Sequence, residues 1–235
     1  MKRIGRCYIC GQQDPDTRDH VIADCFFAEP RPPNLLTFPA HRACNAGLSV
    51  SDEYARNILV GLGSEKSGVA RRLWETKVNR SFKTNRALRD HVAAVLMPKA
   101  DKYSAGGIYL GSAPAIRIDA KRFYPTIEKI IRGLHRLCAG SPMPSDAKFR
   151  WFIQEPMNGL RKRFFVDARV SLGYPEVFES RFVLVNADDG GSSIVGTIWW
   201  LRFYNTVPIE CVVSFSPIRP PSVRPTAPRA DGGEK

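Results

Sequence analysis

Apolar positions recur at three-to-four spacing through the middle of the chain and alternate with polar ones toward its end, which predicts helices followed by strands. The cleanest helix is AKRFYPTIEKIIRGLHRLCAG. There Ile127, Ile130, Ile131, Leu134, Leu137 and Cys138 fall on one face, Gly140 stops the run, and His135 is offset toward solvent. An earlier helix is predicted from Asn45 through SVSDEYARNILVGL, with a break near Gly47, Ser51 as N-cap, and Gly61 and Gly63 at its end. Residues 67–97 read as largely helical around Val69, Leu73, Val78, Leu88, Val92, Val95 and Leu96.

Strand signals frame these helices. QQDPDT closes a loop ahead of a DHVIA strand, and EPRPP lays a stiff extended path to Asn34, because prolines restrict both themselves and the residues before them. Tyr109, Ile116 and Ile118 suggest a strand or two around Gly106, Gly107 and Pro114. Beyond the cleanest helix, KFRWFI, RFFVDARVSL, VFESRFVLVN, SIVGTIWWLRFY and VPIECVVSF are aromatic and β-branched runs separated by turn formers such as NADDGG and NT. They predict an antiparallel sheet with the helix covering one face, so the fold class is α+β. Trp199, Trp200, Phe203 and Tyr204 read as core or subunit contact ahead of base stacking. Residues 216–235 are Pro-rich, lack core residues and are expected to be disordered.

Charge narrows the function. The 235 residues hold 35 Lys and Arg against 23 Asp and Glu, and a net charge of +12 favours a polyanionic partner, nucleic acid ahead of an anionic membrane surface. No apolar run approaches the roughly 18 residues that span a bilayer, and the polar start MKRIGRCYICGQQD has no signal-peptide core, so a soluble, cytoplasmic protein is expected. A reducing compartment also suits Cys25, Cys138 and Cys211 as free, partly buried thiols.

The N-terminal residues carry the chemistry. Cys7 and Cys10 are two residues apart, as are His41 and Cys44, and three thiolates with one imidazole complete a closed tetrahedral zinc shell. The stretch between the pairs, residues 11–40, exceeds the roughly 15 to 20 residues of a bare zinc ribbon. It contains TRDHVIA and Asn34.

With HRACN after it, this arrangement resembles the HNH endonuclease family, whose ββα-metal unit is often stapled by a structural zinc. The resemblance covers about a quarter of the chain. It implies Asp19 of the DH step as a ligand of the catalytic metal, His20 as general base, Asn34 of PNLL as the residue that steadies the loop, and Asn45 as second metal ligand. His41 stands where the family's second zinc pair usually has a cysteine. The chain then divides into an HNH-like unit over 1–62, a basic helical connector over 63–97, a helix-plus-sheet domain over 98–215 and the tail.

These residue types suit phosphodiester hydrolysis. A hard cation, Mg²⁺ or Mn²⁺, held by a carboxylate and an amide oxygen neutralises phosphate charge and helps the leaving 3′ oxygen, and a histidine with an ordinary pKa of about 6.5 can take a proton from water. Asp52 and Glu53 are alternative outer-shell groups for that metal. Arg71, Arg72, Lys77, Arg80, Lys83, Arg86 and Arg89 form a basic run that either tracks phosphates or is a solvated face. The expected activity is metal-dependent cleavage of DNA. The competing readings are a zinc-structured nucleic-acid-binding protein without catalysis, and a regulator whose C-terminal sheet binds a second copy or another partner.

Overall fold

In a computed structural model, described over residues 5–104, 106–152, 169–170, 172–186 and 193–218, the chain is α+β. Strands β1 (Thr17–His20) and β2 (Thr37–Ala40) pair antiparallel, with Asp19 opposite Phe38 and His20 opposite Thr37. Helix α1 (Arg42–Gly63) follows at once. The strand expected over DHVIA therefore starts earlier and stops at His20. Val21 and Ile22 leave it to enter the core, although the Val21 N–H still donates to Leu36 O at 2.9 Å.

The break expected near Gly47 is absent, and α1 runs unbroken through Gly47 and Ser51. The helix is already nucleated at residues 41–45, where the Asn45 N–H donates to His41 O, and once started it propagates at low cost across one glycine. Burial of Tyr54, Ala55, Ile58 and Leu59 holds its second half. Gly63 ends it against a tight turn, since a Cβ there would lie 2.9 Å from Thr206 Oγ1.

The predicted helical stretch comes in pieces set by local caps. Ser67 Oγ accepts from the Ala70 N–H and starts α2 (Gly68–Leu73). Helicity continues through a π turn (Trp74–Val78) into α3 (Asn79–Thr84). Asn85 then leaves the helical region, and its side chain accepts from the Leu88 N–H to open α4 (Arg86–Val95). Strands β3 (Leu96–Tyr103) and β4 (Tyr109–Ile116) form a separate antiparallel hairpin.

Helix α5 (Ala120–Ala139) is capped by Asp119, and Gly140 in the left-handed region closes it, the stop the sequence predicts. It covers an antiparallel sheet made of β5 (Lys148–Phe152), β6 (Arg169–Val170), β7 (Phe178–Asn186), β8 (Ile194–Phe203) and β9 (Val207–Ile218), in the order β5-β9-β8-β7-β6. Tyr124 stacks on Trp151 at 4.7 Å, the Arg132 guanidinium sits over Phe149, and His135 meets the edge of Phe215. His135 is therefore 2% exposed, not offset to solvent, while Leu137 and Cys138 of the expected stripe are exposed. His135 joins the contact face because the Phe215 ring of β9 packs against it. Cys25 is half-buried and Cys211 buried, and both are free thiols.

Strand β9 extends through Ser216, whose N–H donates to Asp146 Oδ2 at 2.9 Å, so the first residues of the expected tail are ordered. Residues 163–168 of RFFVDARVSL, 187–191 of NADDGG and 219–235 lie outside the described residues. Trp199, Phe203 and Tyr204 are fully buried core.

The units expected from sequence share one core. Phe26, in a 3₁₀ turn (Asp24–Phe26), packs on Phe203, and the Tyr204 hydroxyl donates to Phe26 O at 3.0 Å. Tyr204 and Asn205 hold positive φ in the β8–β9 turn, a position a tyrosine takes only when its surroundings over-determine it. On the other side, Gly133 of α5 lies so close to Val21 that a Cβ would come within 2.5 Å of Cγ1. The residues after β1 are thus clamped between α5 and the sheet.

Candidate functional site

Two knuckles bring Cys7, Cys10, His41 and Cys44 together. The Gly11 N–H donates to Cys7 O at 2.9 Å with Gly11 at φ +76°, a conformation glycine takes freely, and this folds the first pair back on itself. His41 is the N-cap of α1 and Cys44 lies in its first turn. The four ligand atoms all lie within 4.8 Å of one another. His41 Nδ1 is 3.4 Å from Cys10 Sγ and 3.8 Å from Cys44 Sγ, which brackets the roughly 3.6 Å between nitrogen and sulfur across a tetrahedral zinc shell.

The surroundings match a cation. Only a donor can face the Gln13 carbonyl 2.8 Å from His41 Nε2, so the proton sits on Nε2 and the Nδ1 lone pair points to the sulfurs. Burial raises the Cys7 thiol, but backbone amides of Cys10, His41 and Ile9 more than offset it and hold its pKa below the ordinary value. Cys44 is pushed up to about 12 by burial and by the neighbouring sulfurs, a repulsion that a positive ion relieves. The group could hold a metal ion such as zinc.

Alternation along β1 sends Asp19 and His20 opposite ways. His20 lines an open cavity of about 530 Å³ with Asp24, Glu29, Arg31, Pro32, Pro33, Leu35 and Thr37. Its Nδ1 lies 2.9 Å from Asp24 Oδ1, an ion-pair distance without hydrogen-bond geometry, and that oxygen has no hydrogen-bond partner among the described residues. Arg31 holds the other Asp24 oxygen at 2.7 Å and reaches Glu29 at 3.3 Å. Glu29 in turn meets Lys77 Nζ at 3.7 Å.

Asp19 points inward and is 6% exposed. The Tyr8 hydroxyl donates to its Oδ2 at 2.6 Å, and Lys129 Nζ lies 3.5 Å from the same oxygen. Lys129 also donates to Asp52 Oδ2 at 2.7 Å, and Thr126 Oγ1 donates to Asp52 Oδ1 at 2.9 Å. Asp52 is therefore a buried partner of α5, not a free outer-shell group; burial, partly offset by Lys129, raises its pKa. Glu53 is half-exposed beside Arg56, at 3.5 Å. Asn45 is half-exposed in the first turn of α1, directly after Cys44, and Asn34 is exposed in the loop between Pro33 and Leu35. No hydrogen bond or ion pair joins Asp19 to Asn45 among the described residues.

The basic run divides by location. Arg72 lines a groove of about 350 Å³ with Phe27, Pro30 and Tyr174, and that groove shares Glu29 and Pro32 with the His20 cavity. Lys83, Arg86 and Arg89 border a separate cleft of about 510 Å³ beside Phe82. Arg80 is exposed. Arg71 donates to the carbonyls of Ser64 and Glu65 and closes the joint between α1 and α2.

Sequence reasoning passed over Tyr8, Asp24, Glu29, Arg31 and Lys129. Asp24 follows His20 by four residues, a spacing that matters on a helix but carries no signal across a strand end. Lys129 lies between the apolar positions of α5, where periodicity reads it as solvated. Compared with family models, curated proteins and solved structures, the chain has no match.

Proposed function

We propose that the chain is a metal-dependent endonuclease of the HNH type, with His20 as general base on a DNA phosphodiester and the Cys7, Cys10, His41 and Cys44 group as a structural zinc site. The observation that carries the reading is His20 itself. Its Nδ1 rests 2.9 Å from a carboxylate, and this leaves Nε2 to accept the proton of a water in the cavity that His20 lines. Arg72 lines the groove beside that cavity, and the net charge of +12 favours a polyanion.

Asp19 and Asn45 are the oxygen donors assigned to Mg²⁺ or Mn²⁺. Both neighbours of Asp19 approach Oδ2, so Oδ1 is the oxygen left for a cation. The resemblance gives such an ion the work of neutralising phosphate charge and stabilising the leaving 3′ oxygen, whereas Asp19 faces inward, on the side of β1 opposite the His20 cavity. His20 holds the proton taken from the attacking water, and the Asp24 carboxylate 2.9 Å from Nδ1 favours the positive charge the ring then carries.

The burial of Asp19 favours a second reading, a zinc-folded nucleic-acid-binding protein without catalysis. Plasmid cleavage with and without Mn²⁺ separates the two. The nuclease reading expects His20→Ala to keep DNA binding and zinc while losing on the order of a hundred- to ten-thousand-fold in cutting rate. Equal cutting by the variant, or none by the native chain with either metal, would defeat it.

A further inference from the structure

Arg18 reaches across the two-stranded sheet toward the His20 cavity. Its Nε donates to Thr37 Oγ1 at 3.0 Å, and its Nη2 donates to Thr37 O at 2.8 Å and to Thr37 Oγ1 at 2.9 Å. Thr37 is the residue directly opposite His20 in the β1–β2 pairing, and it lines the cavity with His20. Arg18 and His20 flank the buried Asp19, so both project from the outer face of β1, about 7 Å apart along the strand. An exposed guanidinium on a long side chain is thereby held in one place at the edge of the cavity.

The charge so placed lacks an acidic partner. Among the described residues Arg18 makes no ion pair, and its Nη1 has no hydrogen-bond acceptor. Arg31, which lines the cavity itself, is taken up by Asp24 at 2.7 Å and Glu29 at 3.3 Å. Arg18 acts instead on a like charge: burial first, and then Arg18, hold the Arg136 guanidinium below its ordinary pKa against an opposing pull from Cys7. A clip that only joined the strands would need no charge, because a neutral donor also serves a hydroxyl and a carbonyl.

We propose that Arg18 binds a backbone phosphate of the substrate strand beside the one attacked at His20, and that Thr37 is the residue that positions it. The proposal rests on the nuclease reading above, and it involves neither Asp19 nor a divalent ion. Thr37 occupies the Nε and Nη2 edge of the guanidinium, so Nη1 is the donor left for a phosphate oxygen, a charge-assisted bond. Such a contact fixes the register of the strand over the cavity and reads no base. The substrate is then a polynucleotide with a charged phosphate next to the cut, and an isolated phosphodiester is a poor one.

Two variants of the full-length chain test this. Binding to a DNA duplex is measured by fluorescence anisotropy across a salt series, without added Mg²⁺ or Mn²⁺ and at matched zinc content. Arg18→Gln keeps an amide donor for Thr37 and removes only the charge. It is expected to weaken binding about tenfold at low salt and to reduce the slope of log K against log salt by about one. Thr37→Val, which leaves the carbonyl but removes the hydroxyl, should weaken binding several-fold with the slope kept. Cleavage in Mn²⁺ of duplexes carrying a single neutral methylphosphonate then locates the contact. The native chain should lose rate when the neutral linkage sits at one position beside the cut, and Arg18→Gln should not respond to it there. Native affinity and slope in folded Arg18→Gln would overturn the proposal, as would the same methylphosphonate response in variant and native chain. If Arg18→Gln does not fold, Thr37→Val decides, and unchanged affinity there overturns it. A native chain that binds with an Arg18-dependent slope but does not cut would overturn the nuclease reading and leave the phosphate contact standing.

Discussion

His20 Nδ1 rests 2.9 Å from Asp24 Oδ1, while Arg31 holds the other Asp24 oxygen at 2.7 Å. Asp24→Asn should preserve the fold, because both side chains are more than a third exposed and Arg31 keeps an oxygen to bind. It removes the negative charge that faces His20 Nδ1. Under the proposed mechanism cutting should fall about tenfold to a hundredfold, less than loss of the base itself. Single-turnover cleavage at saturating Mn²⁺ measures it, and an unchanged rate would separate Asp24 from the chemistry.

Metal removal should act on the whole molecule. Phe26 packs on Phe203 and Tyr204 bonds Phe26 O, so the Cys/His unit shares its core with the C-terminal sheet. Cys44→Ser is expected to lose zinc and cost several kcal/mol, lowering Tm by roughly 10 °C in one transition. Elemental analysis with calorimetry checks both parts. Native stability without zinc would remove the structural role of the site.

The basic run should divide in function as it does in space. Arg72→Glu, beside the His20 cavity, is expected to weaken DNA binding across all sequences and reduce the slope of log K against log salt by about one. Arg71→Glu loses contacts to the Ser64 and Glu65 carbonyls and should appear mainly in stability. Fluorescence anisotropy across a salt series compares the two, and equal slopes for Arg72→Glu and the native chain would leave Arg72 as solvated surface.

His135 gives stability a pH dependence. Burial, with Arg132 nearby, lowers its pKa from the ordinary 6.5 to about 4, and Nε2 has no hydrogen-bond partner among the described residues. Between those values the unfolded chain binds a proton that the folded chain does not. Stability from this group is complete above about pH 6.5 and is lost as pH falls toward 4, by up to roughly 3 kcal/mol. His135→Phe, which keeps a ring against Phe215, should flatten that slope in urea unfolding at pH 7.5, 6 and 5. An identical slope in the variant would assign the loss to other groups.

Much of this architecture was legible in the residues alone. Periodicity and a terminal glycine locate α5, because Gly140 acts within a turn of the helix it ends, and alternating runs separated by turns locate β5, β7, β8 and β9. Spacing likewise brings Cys7, Cys10, His41 and Cys44 together, since each pair closes within its own knuckle and the paired strands β1 and β2 join them. Local rules failed where a local signal met a stronger neighbour. Ser51 does not cap, because α1 is already running when it reaches that residue.

Only the tertiary structure decided what Asp19, His135 and Lys129 face. Each depends on residues brought from distant positions: Tyr8 and Lys129 on Asp19, Phe215 on His135, and Asp52 on Lys129. The sequence by itself determined a four-ligand metal group, an Asp-His step and the α+β elements, all written in short-range spacing. Which oxygen of Asp19 is free, and that α5 and the sheet share a core with the N-terminal unit, follow from long-range packing: burying charge forces pairing across the chain, and no local pattern records the partner.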